Sequence, residues 1–580
     1  MNLSSLLTIV IALGLIVVLL SLVRSYRQLR PVAPQPGGEE GVNLPQMAGD
    51  FGPRVTSRRI AYVGLSFTLL FLTAGGFHLY WAFFAAGPLR FDKIYGNLRQ
   101  LEDNRRRRES ESTLRGWIFD RHHDTSRTLV RYRYQNGKVL REYPLGEAAV
   151  HLTGYSSPIY GDTQLEKVLT GSSKSAHPET LSEKLEALGR EPDRPVVAAD
   201  LVTSIDGELQ QEAYEQIRRY SGAVVVLNPQ NGQILALASS PGFDPEPSRL
   251  HTSWKQLVTD KIKTPLTNRP LLSRYSPGST FKTLVAAAAI EANLDQQLFT
   301  CRPGGWVPPG ASRPINDDND HVHGQIGLTE AFTKSCNQYF AQMGVALDRQ
   351  RMATAANRFG FEIFAEAKES LRADLHKQFW NVDTPAISLV LAPLRSSFVS
   401  SPKLALVDLA QESIGQGFVL ATPLQMALVA AGVANSNGEI MQPQLELARP
   451  PVVMSQAMAA ATAAQVRRLM AGVVSNGTAE NILPLLADQA TAAGKTGTAQ
   501  REVIVRDPAT GEPLTYTDKQ GKVFFKKRPV QDAWFIGFAP VDNPKIAFAV
   551  IVEDGGYGGK IAAPIAARLI IRARQLSLLR

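Results

Sequence analysis

Residues Arg274–Leu294 read RYSPGSTFKTLVAAAAIEANL. Pro277 and Gly278 stop any regular structure before them, and the apolar run after Phe281 predicts a buried helix opened by Ser279. Lys282 follows Ser279 by three residues, so the two side chains share one helix face. A core-building helix has no use for a lysine there. The bland reading is a serine N-cap beside an exposed lysine. The chemical reading is a nucleophile beside its general base, with the unpaired N–H groups of the helix start holding a developing oxyanion. This spacing alone is a weak signal and does not choose between them.

The surroundings of that stretch predict the fold. GAVVVLNPQNGQILALAS (Gly222–Ser239) reads as a strand, an Asn-Gly-containing turn and a second strand. Long apolar helices follow, and DAWFIGFAP and IAFAVIVED supply late strands before a terminal helix. Strands at both ends with helices between them predict an α/β sandwich whose sheet is closed by distant segments. Upstream, Arg115 to about Arg194 mixes short β-rich runs such as RTLVRYRYQNGKVLREY with Gly/Ser/Pro turns, which predicts a small, extended α+β module.

A chain of 580 residues has room for two or three domains, and 44% hydrophobic with 20% charged residues describes a folded protein. The net charge of +9 does not point to nucleic acid, because no nucleic-acid-reading motif accompanies it and the arginines gather beside two apolar stretches. Leu3–Val23 carries no charge and is long enough to span a bilayer, without the basic n-region and cleavage site of a signal peptide. Ile60–Ala86 is a second span with an aromatic end (Phe77, Tyr80, Trp81, Phe83, Phe84) suited to the lipid–water interface. The loop between them holds Arg24, Arg27, Arg30, Arg54, Arg58 and Arg59, which places it in the cytoplasm and everything after Ala86 outside. Arg90, Lys93 and Arg99 oppose that assignment with fewer charges. The two cysteines, Cys301 and Cys336, exclude a disulfide scaffold and a four-cysteine metal site, and leave open whether they pair.

Two further strings decide the reading of Ser279 and Lys282. TKSCNQYF contains Ser335-Cys336-Asn337, and AAGKTGTAQ contains Lys495-Thr496-Gly497-Thr498. SxxK, SxN and KTG, in this order and well separated, form the set of serine penicillin-binding proteins and class A β-lactamases. The chain resembles the class B penicillin-binding proteins, the monofunctional peptidoglycan D,D-transpeptidases. RGWIFDR (Arg115–Arg121), YSSPIYGDTQLEKVLTG (Tyr155–Gly171, with Gln164 where the family usually has glycine), SIDGELQQEA, GQILALASSPGFDP, GQGFVLATPLQMA, VVSNGTA and DAWFIGFAP extend the resemblance from about Arg115 to the C-terminus. The departure is at the front, where the family usually has one membrane anchor and this chain reads as having two.

The resemblance implies an α/β (α+β) sandwich of the penicillin-binding transpeptidase and β-lactamase type, preceded by a membrane-proximal module and two transmembrane helices. The domains then run as a first transmembrane helix at 1–23, a cytoplasmic loop at 24–59, a second transmembrane helix at 60–86, a pedestal at 87–194 and the transpeptidase domain at 195–580. It implies catalytic roles for Ser279 (nucleophile), Lys282 (its base), Ser335 (proton transfer to the leaving amine) and Asn337 (orienting Lys282 and the donor). Lys495, Thr496, Gly497 and Thr498 bind substrate. The backbone N–H groups of Ser279 and Thr498 form the oxyanion hole. The implied partners are peptidoglycan stem peptides ending in D-alanyl-D-alanine, β-lactams, the cytoplasmic membrane with the catalytic domain outside it, and a polytopic glycosyltransferase of the shape, elongation, division and sporulation group. No cofactor, metal or nucleic acid is expected.

Other classes fit less well. A β-lactamase needs a positioned deacylating base and usually lacks an anchor and pedestal; Glu412 stands among the glutamates that keep such a base open. A β-lactam sensor would carry HExxH, a silent scaffold would lose one of the three motifs, and a bifunctional synthase needs more chain before the transpeptidase domain. EDGGYGGKIAAPIAARLI (Glu553–Ile570) mimics a phosphate loop, but Asp554 and Ile561 stand where glycine and Ser/Thr are required. NDDNDHVHG offers Asp317, Asp318, Asp320, His321 and His323 to a metal, although such a loop is more often solvated.

Overall fold

The structure, a computed structural model, describes residues 115–174, 199–366 and 393–580 apart from 136, 137 and 509, together with positions 64, 65, 67, 68 and 71–76. The chain divides into two units, Met1–Arg108 and Glu109–Arg580. In the first unit the described positions are helical, and Thr68 Oγ1 donates to the Gly64 carbonyl at 2.8 Å. The first span, the arginine-rich loop and most of the second span lie outside the described residues, and among those described no helix is long and apolar enough to cross a membrane.

In the second unit, Ile118–Phe119 (β1), Thr128–Gln135 (β2) and Lys138–Glu142 (β3) join Leu201–Val202 (β4) in a sheet of order β3-β2-β1-β4. β1 pairs antiparallel with β2 and parallel with β4, so this sheet takes its last strand from beyond Arg194. Below it Glu166, on the helix Gln164–Lys174 (α1), is wholly buried. Its carboxylate accepts from Arg141 Nε at 2.9 Å, the Tyr143 hydroxyl at 3.0 Å and Arg115 at 3.3 Å. A buried carboxylate is tolerable only with such partners. This is the physical content of RGWIFDR and of the glutamate in QLEKV: the two strings meet as one ion cluster. Gln164 has φ +48°, a left-handed conformation that L-residues avoid, which is why glycine suits this position.

The main sheet is antiparallel and has five strands: Gly222–Leu227 (β5), Ile234–Ser240 (β6), Ala493–Ile504 (β7), Lys527–Ala539 (β8) and Ile546–Val552 (β9), in the order β7-β8-β9-β5-β6. β5 and β6 form the expected hairpin, with Gly232 at φ +75° in its turn. β9 pairs with β5 across more than half the chain, so the sheet is closed by distant segments as expected. β5, β6 and β9 are buried along their whole length, because helices cover both sheet faces. Gly207–Ile217 (α2) and the terminal helix Ala562–Gln575 pack on one side, and Pro423–Ala434 packs on the other. That double cover explains continuous apolar strands in an antiparallel sheet, which more often alternates. β7 and β8 outrun the core: beyond Ala499 the β7 side chains alternate between exposed and half-buried.

Next to this sheet lies a helical region. Lys282–Glu291 (α3) is buried from Lys282 to Ile290, Leu328–Lys334 (α4) precedes the SxN turn, and Asn337–Arg358 (α5) follows it. α3 shows almost no amphipathic contrast because α5 and Ala460–Asn476 cover it on different sides. The SxxK, SxN and KTG strings therefore lie where this helical region meets the free edge of β7.

Candidate active site

Ser279 sits in a tight one-turn segment, Gly278–Phe281, that runs directly into α3 at Lys282. The helix thus opens one turn later than the sequence predicts. Pro277 occupies the capping position and no side chain caps the turn, so Ser279 is not an N-cap; nor is Lys282 exposed. Both halves of the bland reading fail. Backbone contacts hold the turn. Gly278, at φ +54°, donates its N–H to the Gly415 carbonyl at 2.9 Å, and Trp534 Nε1 donates to the Ser276 carbonyl at 3.2 Å. A Cβ on Gly415 would stand 2.0 Å from the Gly278 oxygen, so the loop of GQGFVL supports the Ser279 turn by close backbone approach.

Ser335 ends α4 in a left-handed conformation, φ 61° and ψ 37°, and Cys336 then caps α5 by accepting the Tyr339 N–H on its sulfur. This helix–turn–helix corner points Ser335 and Asn337 at Lys282. The Lys282 amine donates to the Ser335 carbonyl at 2.6 Å, to Asn337 Oδ1 at 2.7 Å and, more weakly, to Ser335 Oγ at 3.3 Å. A neutral amine keeps the two short bonds and still has a lone pair. Burial lowers the Lys282 pKa to about 8, against a smaller opposing pull from Cys336, Asp317 and Cys301. Asn337 is held in turn: its N–H donates to Asp317 Oδ1 and its amide nitrogen to the Asn316 carbonyl at 3.0 Å.

The KTG string forms the buried half of β7, beside the Ser279 turn. A Cβ on Gly497 would stand 2.9 Å from Thr280 Cγ2 and 3.1 Å from the Pro277 carbonyl, so only glycine admits the turn this close. Thr496 shares a short hydroxyl–hydroxyl hydrogen bond with Thr478 of VVSNGTA. Lys495 is wholly buried, donates to the Thr496 carbonyl at 3.2 Å and lies over the Phe332 ring. Burial, and then the nearby Lys282, hold its pKa well below the ordinary lysine value. Two ammonium groups this close and this dry oppose each other's protonation.

A cleft of about 940 Å³ joins these pieces, and Ser279, Ser335, Asn337, Thr496, Gly497 and Thr498 all line it. Lys282 and Lys495 stand behind that lining rather than in it. Asp317, Thr478, Gln416 and Tyr557 also face the cleft. Sequence reasoning assigned them no part in the reaction, although Thr478 and Gln416 stand inside landmark strings and Asp317 inside the acidic loop. Glu412 is buried, bonded to Arg349 at 3.3 Å and absent from the lining, which removes it as a deacylating base. The Gly-rich turn after β9 serves packing: a Cβ on Gly558 would meet the Trp534 and Gly497 carbonyls at 2.2 and 2.3 Å. From the acidic loop, Asp317, Asp318, Asp320, His321 and His323 all line the cleft, and Asp317 and His323 also join Cys301 and Cys336 in a cluster whose four donor atoms lie within 4.8 Å of one another.

The family model described as the penicillin binding protein transpeptidase domain matches residues 222–570. Peptidoglycan D,D-transpeptidase PbpA of Mycolicibacterium smegmatis is 30% identical over 524 residues, covering 84% of this chain and 93% of the relative. Peptidoglycan D,D-transpeptidase MrdA of Acinetobacter baumannii is 29% identical over 477 residues, 75% of this chain and 66% of the relative. Among solved structures, the penicillin G acyl-enzyme complex of penicillin-binding protein A from M. tuberculosis superimposes with a TM-score of 0.61 at 28% identity, covering 80% of this chain and all of that one.

Proposed function

Because the chain belongs to the class B penicillin-binding proteins and is a peptidoglycan D,D-transpeptidase, we propose that Ser279, Lys282, Ser335 and Asn337 carry its acyl transfer and that Lys495–Thr498 bind the donor peptide. The observation that carries this reading is the convergence of three distant strings on one cleft, with Lys282 buried between Ser335 and Asn337.

Ser279 Oγ attacks the carbonyl carbon between the two terminal D-alanines while Lys282 takes the hydroxyl proton. The carbonyl oxygen gathers negative charge against the N–H groups of Ser279 and Thr498. The C–N bond breaks, Ser335 passes a proton to the departing D-alanine amine, and an ester on Ser279 remains. The amine of a second stem peptide then attacks that ester, its proton returns through the same groups, and Ser279 is regenerated. The incoming donor brings a carboxylate. That anion gives buried Lys495 a counter-charge, which no carboxylate among the described residues provides, and Thr496 and Thr498 offer the anion hydroxyls.

A β-lactam presents the same carbonyl, but its ring nitrogen, released when the C–N bond breaks and protonated as the departing amine would be, stays tethered to the acyl group. With Glu412 removed as a base, the ester should persist. Intact-mass analysis after penicillin treatment should find one adduct per chain, on the peptide bearing Ser279, lasting minutes or longer. Rapid turnover of free penicillin would instead assign a β-lactamase.

We place the catalytic unit outside the cytoplasmic membrane, anchored by the two spans. Leu65, Phe67, Phe71 and Leu72 are exposed apolar side chains on the described part of the second, as a lipid-facing helix requires. A reporter active only outside the cytoplasm, fused after Arg580, should be active; a cytoplasmic result would remove both the topology and access to the substrate. In this reading the described residues supply the transpeptidase alone, and the protein works on glycan made by a polytopic glycosyltransferase partner, met through the spans and the pedestal.

A further inference from the structure

The two N–H groups that face the developing oxyanion sit on separate segments, Ser279 in the turn before α3 and Thr498 on β7. Such a pair works only if something fixes one segment relative to the other. The loop Gly415–Gly417 reaches both. Its Gly415 carbonyl accepts the N–H of Gly278, the residue before Ser279, at 2.9 Å. Its Gln416 side chain reaches the outer edge of β7. Oriented so that each end of the amide meets its complement, Gln416 donates to the Gln500 carbonyl and accepts the Gln500 N–H, both at 3.2 Å. β7 is the last strand of its sheet, so along this edge its backbone has no strand to pair with. Backbone groups two residues apart in a strand point to the same edge. Gln500 turned towards Gln416 therefore places the Thr498 N–H on that same edge, in the cleft that all three residues line. Gln416 acts as a one-residue substitute for a neighbouring strand, filling the pairing site at Gln500 and leaving the next one, at Thr498, open. The loop has a firm base. The N–H groups of Gln416 and Gly415 bond to the Gln411 and Glu412 carbonyls, at 3.0 and 2.9 Å, on the end of the helix Leu406–Ser413. The Glu412 carboxylate is bound to Arg349, which also donates to the carbonyls of Val399 and Ala405.

We propose that Gln416 is a positioning residue for the acyl transfer: through Gln500 it fixes where the Thr498 N–H stands, while Gly415, through Gly278, fixes Ser279, so that one loop sets the span of the oxyanion hole. The inference rests on the transpeptidase reading above and deepens it. In this role Gln416 acts on the carbonyl oxygen only by way of β7. Without its amide both N–H groups remain, but the β7 edge is free to drift from the turn. A misplacement of about 1 Å costs up to about 100-fold in rate, whereas loss of an oxyanion donor costs about 100- to 1,000-fold. The charge on the carbonyl oxygen exists in the tetrahedral state and not in the bound ester or lactam, so the loss falls on the acylation step and spares the preceding non-covalent binding.

The test compares full-length wild type with Gln416→Met, which keeps the length of the side chain and removes both hydrogen bonds. Stopped-flow acylation by penicillin G should separate the non-covalent binding constant from the acylation rate constant. The expected result is a rate constant lowered by about 10- to 100-fold with the binding constant unchanged. The same factor should appear with the bare penicillin nucleus, which lacks the side chain, and in the affinity for a boronic acid, whose tetrahedral adduct on Ser279 places an oxygen in the hole. Peptide-level hydrogen exchange should show one amide of the β7 peptide around Gln500 exchanging faster, at an unchanged thermal midpoint. Should Gln416→Met not fold, Gln416→Glu carries the same test, since it still accepts the Gln500 N–H and no longer donates to the carbonyl. An unchanged acylation rate would overturn the proposal, and so would unchanged exchange at Gln500. A loss seen in the binding constant, or with penicillin G and not with the bare nucleus, would overturn it in favour of direct contact between Gln416 and the ligand. The exchange measurement does not depend on the transpeptidase reading. Wild-type protein that forms no adduct on Ser279 would sink that reading and the inference together, and is told apart because wild type and variant then fail alike.

Discussion

Replacing Ser279 with alanine is expected to abolish covalent labelling by penicillin and all cross-linking activity, while the protein remains folded. The argument rests on what the serine does not do. Its hydroxyl does not cap the helix, since no side chain caps the Gly278–Phe281 turn. The turn is held by backbone bonds from Gly278 to Gly415 and by Trp534 on Ser276. Removing a half-exposed hydroxyl from such a turn should change stability by no more than about 0.5 kcal/mol. Lost labelling with an unchanged thermal midpoint therefore reports chemistry. Labelling that survives in Ser279→Ala would place the nucleophile elsewhere and remove the assignment of all four catalytic residues.

Lys282→Ala is expected to slow acylation by about 10²- to 10⁴-fold, the usual contribution of a positioned general base. The size follows from geometry: the amine is the only basic group bonded to both Ser335 and Asn337 among the described residues. Its pH dependence separates a base from a structural lysine. With the pKa lowered to about 8, the neutral fraction of Lys282 falls about tenfold per pH unit below that value. The wild-type acylation rate should rise with pH up to about 8 and then level off, and Lys282→Ala should lose this rise. The same shift fixes the sign for stability. Between about 8 and the ordinary lysine value the folded state binds fewer protons than the unfolded chain, so stability increases with pH across that window. A surface lysine with a salt-bridge partner would behave oppositely. A flat rate profile in the wild type would show that Lys282 does not accept the proton.

The sequence alone carried the identity of the chemistry. SxxK, SxN and KTG are short, contiguous and chemically unusual, so their order survives reading as text. The strands were legible for a related reason: GAVVVL, ILALASS and IAFAVIV are buried on both faces, and such runs announce themselves without any partner being known. The Gly222–Ser239 hairpin was legible because its turn chemistry is local.

What the tertiary structure alone decided depends on contacts between residues far apart in the chain. Whether Lys282 is exposed or buried is not a property of the helix that bears it. It follows from the SxN corner that covers it, 53 residues away, and burial is the cause of its lowered pKa. Lys495 reads as a substrate cation in its string, yet the fold seals it behind Thr496 beside a second lysine. Glu412 reads as an available carboxylate and is consumed by Arg349. Asp317 and His323 read as two members of a solvated acidic loop. Only the pairing of Phe299–Cys301 with Gly324–Ile326 brings them to the two cysteines. Each of these outcomes turns on desolvation and on a partner supplied by a distant segment, and neither is encoded in local residue order.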